Sequence, residues 1–387
     1  MKSGESKYRF NGCEQLKRGI QVLVCLALMV LLVASSRPEA NAQGLGNEGK
    51  RQVTVMTRNL YVGADFSPIV LALYQGELAR VPGLVSAAYA QILASDFPTR
   101  AQGIAGEIRA TAPELISLQE VSLIRTQFPG FLVTGQATPA TDVALDYLQI
   151  LLAELELTGL HYVAVCANTN LDVELPNDTG MDVRLTDRDV ILARADLPRG
   201  LLSLSNPQSG NFAVNLQVPV GSGALTVYRG WCSVDVFERG RSFRFLNTHL
   251  DDGPALIREA QAAELLSGPA NVALPVLMAG DFNTDANGTD DAYPLLIGAG
   301  LLDSWSLAFP DQRGDTCCQT SDLQNANSIL NTRIDLILFR GQGLSLNGVE
   351  LTGADSGDRI SSTFLPGFPR LLWPSDHAGL VATIGLR

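Results

Sequence analysis

Residues 276–291, VLMAGDFNTDANGTDD, change abruptly from apolar side chains to acids and amides. Three structures would give this pattern: a solvated turn, a calcium-binding loop, or the acidic corner of a metal-dependent active site. If Asp281 is the first position of a calcium loop, the third and fifth positions carry suitable oxygen ligands. The sixth and twelfth positions are Ala286 and Ala292, where an EF-hand requires Gly and a bidentate Glu. An EF-hand loop is therefore excluded.

Similar polar side chains stand at the ends of several other short apolar runs. The set consists of Asn59, Gln119, Glu120, Asn247, His249, Asp281, Asn283, Asp335, Asp376 and His377. Two of the three histidines of the chain belong to it. Loops at strand ends on a rigid scaffold commonly carry binding and catalytic groups. Each residue alone could equally form a cap or a turn, so the prediction of an active site rests on the whole set.

Runs rich in β-branched and aromatic residues alternate with segments of helical periodicity. The predicted strands are residues 52–60, 114–120, 161–167, 189–195, 225–237, 242–250, 274–282, 333–340 and 378–386. The predicted helices are residues 68–80, 84–95, 99–111, 142–158 and 254–267. Residues 200–224 are rich in Ser, Asn, Pro and Gly and are predicted to form a hairpin loop. The alternation predicts an α/β protein with mixed sheets covered by helices on their outer faces.

The N-terminus has the layout of a signal peptide, because an apolar run at residues 20–34 follows basic residues and precedes small ones. Residues 1–42 are therefore predicted to direct secretion or periplasmic export and to be cleaved. An uncleaved N-terminal membrane anchor is the alternative, although such anchors usually need about 20 apolar residues. The remaining segment, residues 43–387, is long enough for one large α/β domain with insertions.

Export would place the cysteines beyond residue 42 in an oxidising compartment. These are Cys166, Cys232, Cys317 and Cys318. Adjacent cysteines rarely bridge each other because the geometry is strained. Two arrangements are expected: Cys166 and Cys232 each reach the Cys317-Cys318 pair, or one bridge forms and two thiols stay free. A zinc site is disfavoured, since there is no C-x-x-C spacing and no neighbouring histidine.

Six segments in chain order resemble the endonuclease/exonuclease/phosphatase superfamily: TRNLYVGAD, LISLQEV, FLNTHLD, AGDFNTD, TRIDLIL and WPSDHAGL. That superfamily includes deoxyribonuclease-like nucleases, abasic-site endonucleases, neutral sphingomyelinases and inositol polyphosphate 5-phosphatases. The resemblance extends over residues 52–387. It implies a four-layer α/β/β/α sandwich, in which two mixed β-sheets lie face to face between helices, and this agrees with the strands predicted independently.

The resemblance also implies hydrolysis of a phosphate ester with the help of a divalent metal ion. Attack of water on phosphorus builds negative charge on oxygen atoms, so the site needs a hard cation, hydrogen-bond donors and a base. Mg²⁺ is the expected cation because it prefers carboxylate oxygens, and Mn²⁺ or Ca²⁺ could replace it. Glu120 is the expected direct ligand, with Asn59 beside it and Asp376 as a further or water-mediated ligand.

By the same resemblance, Asp281 orients or deprotonates the attacking water and Asn283 donates to the phosphoryl group. His249 and His377 contact the phosphate, and Asp335 controls the tautomer and charge of His377. Whether Asp281 or a histidine is the base stays open.

Two stretches depart from the family pattern. Arg58 stands before Asn59 where an aromatic or aliphatic residue is more usual, and it either reaches a phosphate or faces solvent. The stretch DVRLTDRDVILAR lacks the phosphate-contacting tyrosine that nucleases often carry at this place. Arg184, Asp187 and Arg188 are candidates to replace that tyrosine.

The interval between Asn59 and Glu120 is longer than in the compact nucleases. It contains helical patterns at about residues 66–95, which are predicted to form an insertion that covers the site as a lid.

An apolar run, STFLPGFPRLLWPSDH, places Phe368 and Trp373 just before the Asp376-His377 pair. In secreted sphingomyelinases of the superfamily an aromatic hairpin near this place touches the membrane. Phe368 and Trp373 are therefore candidates for substrate binding and for transient contact with a membrane surface. The alternative is that this loop folds onto the core.

The predicted function is a divalent-metal-dependent phosphoesterase that hydrolyses a phosphodiester by in-line attack of water. The formal net charge of −12 disfavours polyanions, so a phospholipid or small phosphodiester is slightly favoured as substrate. The alternatives are a secreted nuclease acting on DNA or RNA, and a non-catalytic binding module on the same fold. Retention of Glu120, Asp281 and His377 argues against the binding module. The protein is expected to be a monomer.

Overall fold

The strands of the chain assemble into two large β-sheets in a computed structural model that describes residues 51–288, 291–362 and 369–387. Residues 1–42 and Phe368 lie outside the described residues. In chain order the strands are β1 (Gln52–Asn59), β2 (Leu115–Gln119), β3 (Leu123–Gln127), β4 (Asp142–Asp146), β5 (Tyr162–Pro176), β6 (Asp182–Arg194), β7 (Leu202–Asn211), β8 (Leu216–Val220), β9 (Gly223–Val227), β10 (Gly230–Glu238), β11 (Arg241–His249), β12 (Val276–Asp281), β13 (Leu302–Asp303), β14 (Asp335–Arg340), β15 (Leu344–Thr352), β16 (Ile360–Ser362), β17 (Arg370–Leu372) and β18 (Gly379–Leu386).

The α-helices of the described segments are α1 (Ser67–Tyr74), α2 (Val81–Ala94), α3 (Phe97–Thr111), α4 (Phe131–Thr134), α5 (Tyr147–Thr158), α6 (Ala255–Ser267), α7 (Ala292–Gly298) and α8 (Ser304–Ala308). Two single 3₁₀ turns, Leu78–Arg80 and Ser356–Asp358, complete them. Within these segments, no helix has the length and apolar composition that crossing a bilayer requires.

Both large sheets are mixed. The first has the order β15-β18-β1-β2-β6-β3-β4, with β5 also paired to β6, and its parallel pair is β1 with β2. The second has the order β13-β14-β12-β11-β10-β7, and its parallel pair is β11 with β12. Since parallel strands end at the same edge of a sheet, each sheet brings two strand ends together at one edge.

The two sheets pack face to face around an apolar core. Val55 and Leu115 from the first sheet belong to the same buried cluster as Phe245 and Leu277 from the second. A hydrogen bond of 3.0 Å from the Ser117 hydroxyl to the Ala279 carbonyl also joins the sheets.

Helices cover the outer face of each sheet. Helices α3 and α5 bury Ile104 and Leu151 against the first sheet, and α6 and α7 bury Leu265 and Leu296 against the second. The resulting order of helix, sheet, sheet and helix confirms the predicted four-layer fold.

Helices α1 and α2 occupy the segment predicted to be a helical insertion. Together with the β8–β9 hairpin they form a separate apolar cluster that includes Ile69, Leu73, Val85, Val218 and Leu225. This cluster packs against the first sheet through Ile124 and Val183, which lie on β3 and β6.

Three of the predicted elements were wrong. The predicted strand 225–237 is two strands, β9 and β10, which belong to different sheets. Residues 200–224 are not a hairpin loop, because they contain β7, an edge strand paired to β10, and β8. Most of β7 is exposed and polar, which conceals the strand in the sequence. The predicted helix 142–158 begins only at Tyr147, after β4, because the Asp146 carboxylate caps it by accepting from the Leu148 amide at 3.2 Å.

One bridge forms and two thiols stay free, as in the second expected arrangement. The bridge joins adjacent cysteines, a pairing that the sequence analysis disfavoured. A disulfide joins adjacent Cys317 and Cys318, and Cys166 and Cys232 are free thiols. Bridges from Cys166 and Cys232 to that pair were a wrong prediction. Cys166 lies on β5 and donates to the Gln208 carbonyl at 3.1 Å, and Cys232 lies on β10 and donates to the Asp189 carbonyl at 3.7 Å. Cys317 lies instead in a loop beside Thr332 and His377.

Phe245→Ala should lower the free energy of unfolding by about 3–5 kcal/mol. Phe245 is fully buried between the sheets, so the truncation leaves a cavity in the inner core. Urea denaturation measures the change. Leu157→Ala, at a leucine that is 80% exposed on α5, is the matched control and should change stability by less than about 0.5 kcal/mol. Equal effects of both substitutions would contradict the layer assignment.

Candidate active site

Strand registers from both sheets place the predicted residues at one edge of the sandwich. Asn59 is the last residue of β1 and lies beside the end of β2, which Glu120 follows directly. His249 lies opposite Asp281 at the ends of β11 and β12, and Asp281 lies opposite Asp335. The two sheets therefore contribute neighbouring halves of one site.

The Asn59 amide connects these halves. Its Nδ2 donates to Glu120 Oε1 at 3.0 Å and to Asp281 Oδ2 at 3.0 Å. Its Oδ1 accepts from the Tyr61 backbone amide at 2.9 Å. Asn59 was predicted to be a metal ligand, and its side-chain nitrogen positions two carboxylates of the site.

Glu120 and Asp376 form the acidic part of the site. Glu120 has a φ of 55°, a backbone conformation that is rare outside glycine. The Val62 amide donates to its Oε2 at 2.7 Å. Desolvation, followed by the negative charges of Asp376 and Asp187, raises the pKa of Glu120 to about 7. Desolvation raises the pKa of Asp376 as well.

This pair of acids fits a divalent cation. The contributing atoms are carboxylate oxygens, which Mg²⁺ prefers. The repulsion between Glu120 and Asp376 raises the pKa of Glu120, and a cation held between the two groups would remove that repulsion. Glu120 and Asp376 are therefore the residues that would hold the metal ion.

His377 and Asp335 form a buried ion pair. His377 Nδ1 lies 2.8 Å from Asp335 Oδ2. Burial lowers the pKa of His377, but the negative charges of Asp335 and Asp376 outweigh it and raise the pKa well above the ordinary value. Asp281, Asp335 and His377 bring ligand atoms within 4.8 Å of one another, but because the Asp335 contact already occupies Nδ1 the group is better suited to holding a proton than a metal ion.

His249 and Asp281 form a second pair, in which the imidazole is neutral, whereas the imidazole of His377 is charged. His249 Nε2 lies 3.6 Å from Asp281 Oδ2, and its Nδ1 lies 3.3 Å from Arg229 Nη1. Burial and the positive charge of Arg229 lower the pKa of His249 well below the ordinary value, so this imidazole is neutral. Burial and the charge of Asp335 raise the pKa of Asp281 to about 7.

The profile of the Endonuclease/Exonuclease/phosphatase family matches residues 91–377. The chain belongs to this family. Its members are metal-dependent hydrolases of phosphoesters. The resemblance seen in the six sequence segments is therefore confirmed. The sequence matches none of the curated proteins.

Solved structures of the endonuclease/exonuclease/phosphatase family share the fold. A family protein from Bacteroides thetaiotaomicron has a TM-score of 0.52 and 18% identity, over 87% of this chain and 99% of its own. A mannosyl-6-phosphatase from the same species has a TM-score of 0.50 and 18% identity, over 86% of this chain and 99% of its own. A family protein from Leptotrichia buccalis has a TM-score of 0.51 and 15% identity, over 86% of this chain and 100% of its own.

Asn283 lies beside the family's acidic centre in a strained conformation, with a φ of 49°. Its backbone amide donates to Asp281 Oδ1 at 3.0 Å, and its Nδ2 donates to the Leu250 carbonyl at 2.9 Å. One of the two side-chain N–H donors is thus used within the protein, and Asn283 orients the Asp281 carboxylate through its backbone.

A polar network that the sequence analysis largely missed surrounds His249. Asn170 donates to Asp187 at 3.1 Å and to Asp189 at 2.8 Å, and Arg229 lies 3.8 Å from Asp187. Asp187 and Asp189 are two residues apart on β6 and so point to the same face, a signal that was available in the sequence. Arg229 lies between β9 and β10, and no pattern indicated it.

The three arginines predicted to bind substrate have other partners. Arg58 is fully buried and donates to the His377 carbonyl and, at 2.9 Å, to Glu107, because its side chain points to the opposite face of β1 from that of Asn59. Arg184 pairs with Asp172 at 2.7 Å. Arg188 donates to the Val121 carbonyl at 2.8 Å and pairs with Asp146 at 2.7 Å.

Trp373 is also corrected as a candidate for substrate or membrane contact. It is fully buried in a cluster with Tyr61 and Leu323. Its indole Nε1 donates to the Asn325 carbonyl at 2.9 Å. This part of the loop folds onto the core, as the alternative interpretation proposed, whereas Phe368 lies outside the described residues.

Arg100 on α3 is a positioning residue that the sequence analysis did not identify. It is fully buried, and its guanidinium donates to the carbonyls of Leu60 at 2.7 Å, Tyr61 at 2.9 Å, Pro374 at 2.9 Å and Ser95 at 3.0 Å. These contacts join the loop after Asn59 to the loop that carries the Asp376-His377 pair.

Asp335→Asn should lower the pKa of His377, because the substitution keeps the shape of the partner and removes its negative charge. Burial, which lowers the pKa of the imidazole, is then opposed by Asp376 and Asp281 without the help of Asp335. NMR titration of the histidine rings measures the change. His161 is exposed and pairs with Glu156, so it provides an internal reference whose pKa stays the same. An unchanged pKa of His377 would show that another group stabilises its charge.

Mg²⁺ should bind about tenfold more weakly at pH 6 than at pH 8, since the pKa of Glu120 is raised to about 7 and the cation must displace a proton below that pH. Titration calorimetry at the two pH values measures the difference. Glu120→Gln should abolish most of the binding, whereas the exposed control Glu350→Gln should bind as the wild type does. Equal affinity at both pH values would place the cation elsewhere.

Proposed function

We propose that the protein is a divalent-metal-dependent phosphodiesterase in which water attacks phosphorus in line with the leaving oxygen. One observation supports this most directly. Asp281 Oδ2 lies 3.0 Å from Asn59 Nδ2, 3.6 Å from His249 Nε2 and 3.8 Å from His377 Nδ1. A carboxylate thus meets an amide donor, a neutral imidazole and a charged imidazole at the edge where Glu120 also lies.

The protonation states support distinct roles in hydrolysis. Asp281, with its pKa raised to about 7, is suited to accept a proton from water near neutral pH. His377, held in its charged form by Asp335, is suited to donate a hydrogen bond to a phosphoryl oxygen on which negative charge develops. His249, neutral and next to Asp281, is the second candidate for the base.

A divalent cation on Glu120 and Asp376 would neutralise charge on the phosphoryl oxygens and the leaving oxygen. Asn59 orients Glu120 and Asp281 with respect to each other, and Arg100 fixes the loop that carries Asp376. As the new bond from water to phosphorus forms, the bond from phosphorus to the leaving oxygen breaks, and the products are a phosphomonoester and an alcohol.

A phospholipid or small phosphodiester is the proposed substrate, and a nucleic acid is the alternative. The acidic net charge of −12 supports the former. The signal-peptide layout of residues 1–42 supports export as the proposed location.

Asp281→Asn should reduce kcat on bis-p-nitrophenyl phosphate by about 10²–10⁴-fold, as expected for loss of a general base. Chelation of divalent cations should abolish turnover of the wild type, and added Mg²⁺ should restore it. Asp311→Asn, at an exposed acid outside the site, is the control. Near-normal turnover by Asp281→Asn, or activity that survives chelation, would contradict the proposal.

A substrate panel then separates the substrate classes. Plasmid DNA, RNA, sphingomyelin and phosphoinositides are each compared with bis-p-nitrophenyl phosphate and with its monoester. Preference for the monoester would exclude a diesterase, and preference for DNA or RNA would establish the nuclease alternative.

A further inference from the structure

An apolar cavity of about 720 Å³ opens beside the acidic residues. This volume lies within the range of about 300–1,000 Å³ that small-molecule sites occupy. Its deep wall is aliphatic and is formed by Leu73, Val85, Ala88, Val183, Val218 and Leu225. These side chains come from α1, α2, β6 and the β8–β9 hairpin, so the helical insertion and the hairpin enclose the cavity against the first sheet.

The cavity is continuous with the proposed catalytic centre. Glu120 and Asp376 line one end of it, together with Asp187 and Arg229. A molecule that places a charged group at this end can extend directly into the aliphatic part. The cavity and the acidic centre thus form a single site with one polar and one apolar end.

Part of the mouth of the cavity, on α1, is apolar as well. Leu71 and Tyr74 on α1 line the cavity and are 54% and 68% exposed. Exposed apolar side chains grouped at the rim of an apolar cavity are a feature of surfaces that bind apolar ligands.

We propose that this cavity binds the hydrocarbon chain of an amphiphilic phosphodiester, whose phosphate lies between Glu120, Asp376 and Arg229. This inference rests on the proposed function and assigns a substrate class to it. The observation that carries it is the continuity between a charged end and an aliphatic wall within one cavity.

A nucleobase fits the deep wall less well than a hydrocarbon chain. The polar edge of a base would lie against Val85, Ala88 and Val218, which offer no side-chain hydrogen-bond partner, and burial of an unpaired polar group is costly. A methylene chain has no such requirement, and its burial is favourable in proportion to its length.

Alkyl p-nitrophenyl phosphates test the inference, because they vary the chain and keep the phosphodiester and the leaving group constant. With the full chain and Mg²⁺, the octyl ester should have a kcat/KM about 100-fold or more above that of the methyl ester, since each buried methylene contributes severalfold. The octyl ester is used below the concentration at which it forms micelles. Equal kcat/KM values for both esters would overturn the inference.

Two substitutions, on different elements that line the cavity, fill it. Ala88→Phe on α2 and Val218→Phe on β8 should each reduce the octyl-to-methyl ratio of kcat/KM to within about threefold of one. Thermal melting shows whether each variant folds. If one variant folds poorly, the other still tests whether the cavity binds the hydrocarbon chain. Leu71→Ser with Tyr74→Ser at the mouth should reduce the ratio severalfold, whereas the exposed control Leu157→Ser should not change it. A ratio that survives both cavity substitutions would contradict the assignment.

Thymidine 5′-p-nitrophenyl phosphate tests the competing interpretation, in which a nucleoside occupies the cavity. If this ester is hydrolysed faster than the octyl ester, and Ala88→Phe removes that advantage, a nucleoside occupies the cavity and the inference is wrong.

A binding measurement separates failure of the inference from failure of the proposed function. If no ester releases p-nitrophenol, the proposed function fails, and calorimetry with octylphosphonate and methylphosphonate decides about the cavity. Tighter binding of octylphosphonate that Ala88→Phe abolishes supports the hydrocarbon site. Equal binding, or no binding of either phosphonate, overturns it.

Discussion

The site depends on the side-chain amide of Asn59, which donates hydrogen bonds to carboxylates from both sheets. Face-to-face packing brings Glu120 from one sheet and Asp281 from the other to the same edge, where their carboxylates would repel each other. Asn59 donates to both at 3.0 Å. Behind it, Gln119 donates to Asn247 at 2.8 Å, and Asn247 donates to the carbonyls of Leu118 and Val190. A neutral amide thus holds the two acids next to each other.

Two imidazoles in the same site differ in charge because their neighbours differ. His377 faces the carboxylates of Asp335 and Asp376 and is charged, whereas His249 is buried beside the Arg229 guanidinium and is neutral. Burial alone would neutralise both. One site therefore contains a charged imidazole and a neutral imidazole on either side of the Asp281 carboxylate, at 3.8 Å and 3.6 Å.

Much of the fold and the centre of the site could be predicted from sequence, since polar residues at strand ends converge wherever parallel strands share an edge. The surroundings of the residues proposed to contact substrate could not be predicted from sequence. Arg58 follows the two-residue period of a strand, so it had to point away from the face that Asn59 occupies, and this signal was present. Trp373 and Arg229 lie in loops, where the path of the chain depends on tertiary contacts that no local pattern encodes. Strand β7 was missed because an exposed edge strand has the polar composition of a loop.

The buried guanidinium of Arg100 has a consequence for how such a protein diversifies. It binds carbonyls at Leu60 and Tyr61, just before the inserted helices, and at Ser95, just after them. Both ends of the insertion are therefore anchored to one rigid point, and the chain between them can be lengthened, shortened or resculpted while the acids keep their places. Under the proposed function, the acids that carry the chemistry and the helices that line the cavity thus belong to separately anchored parts of one scaffold.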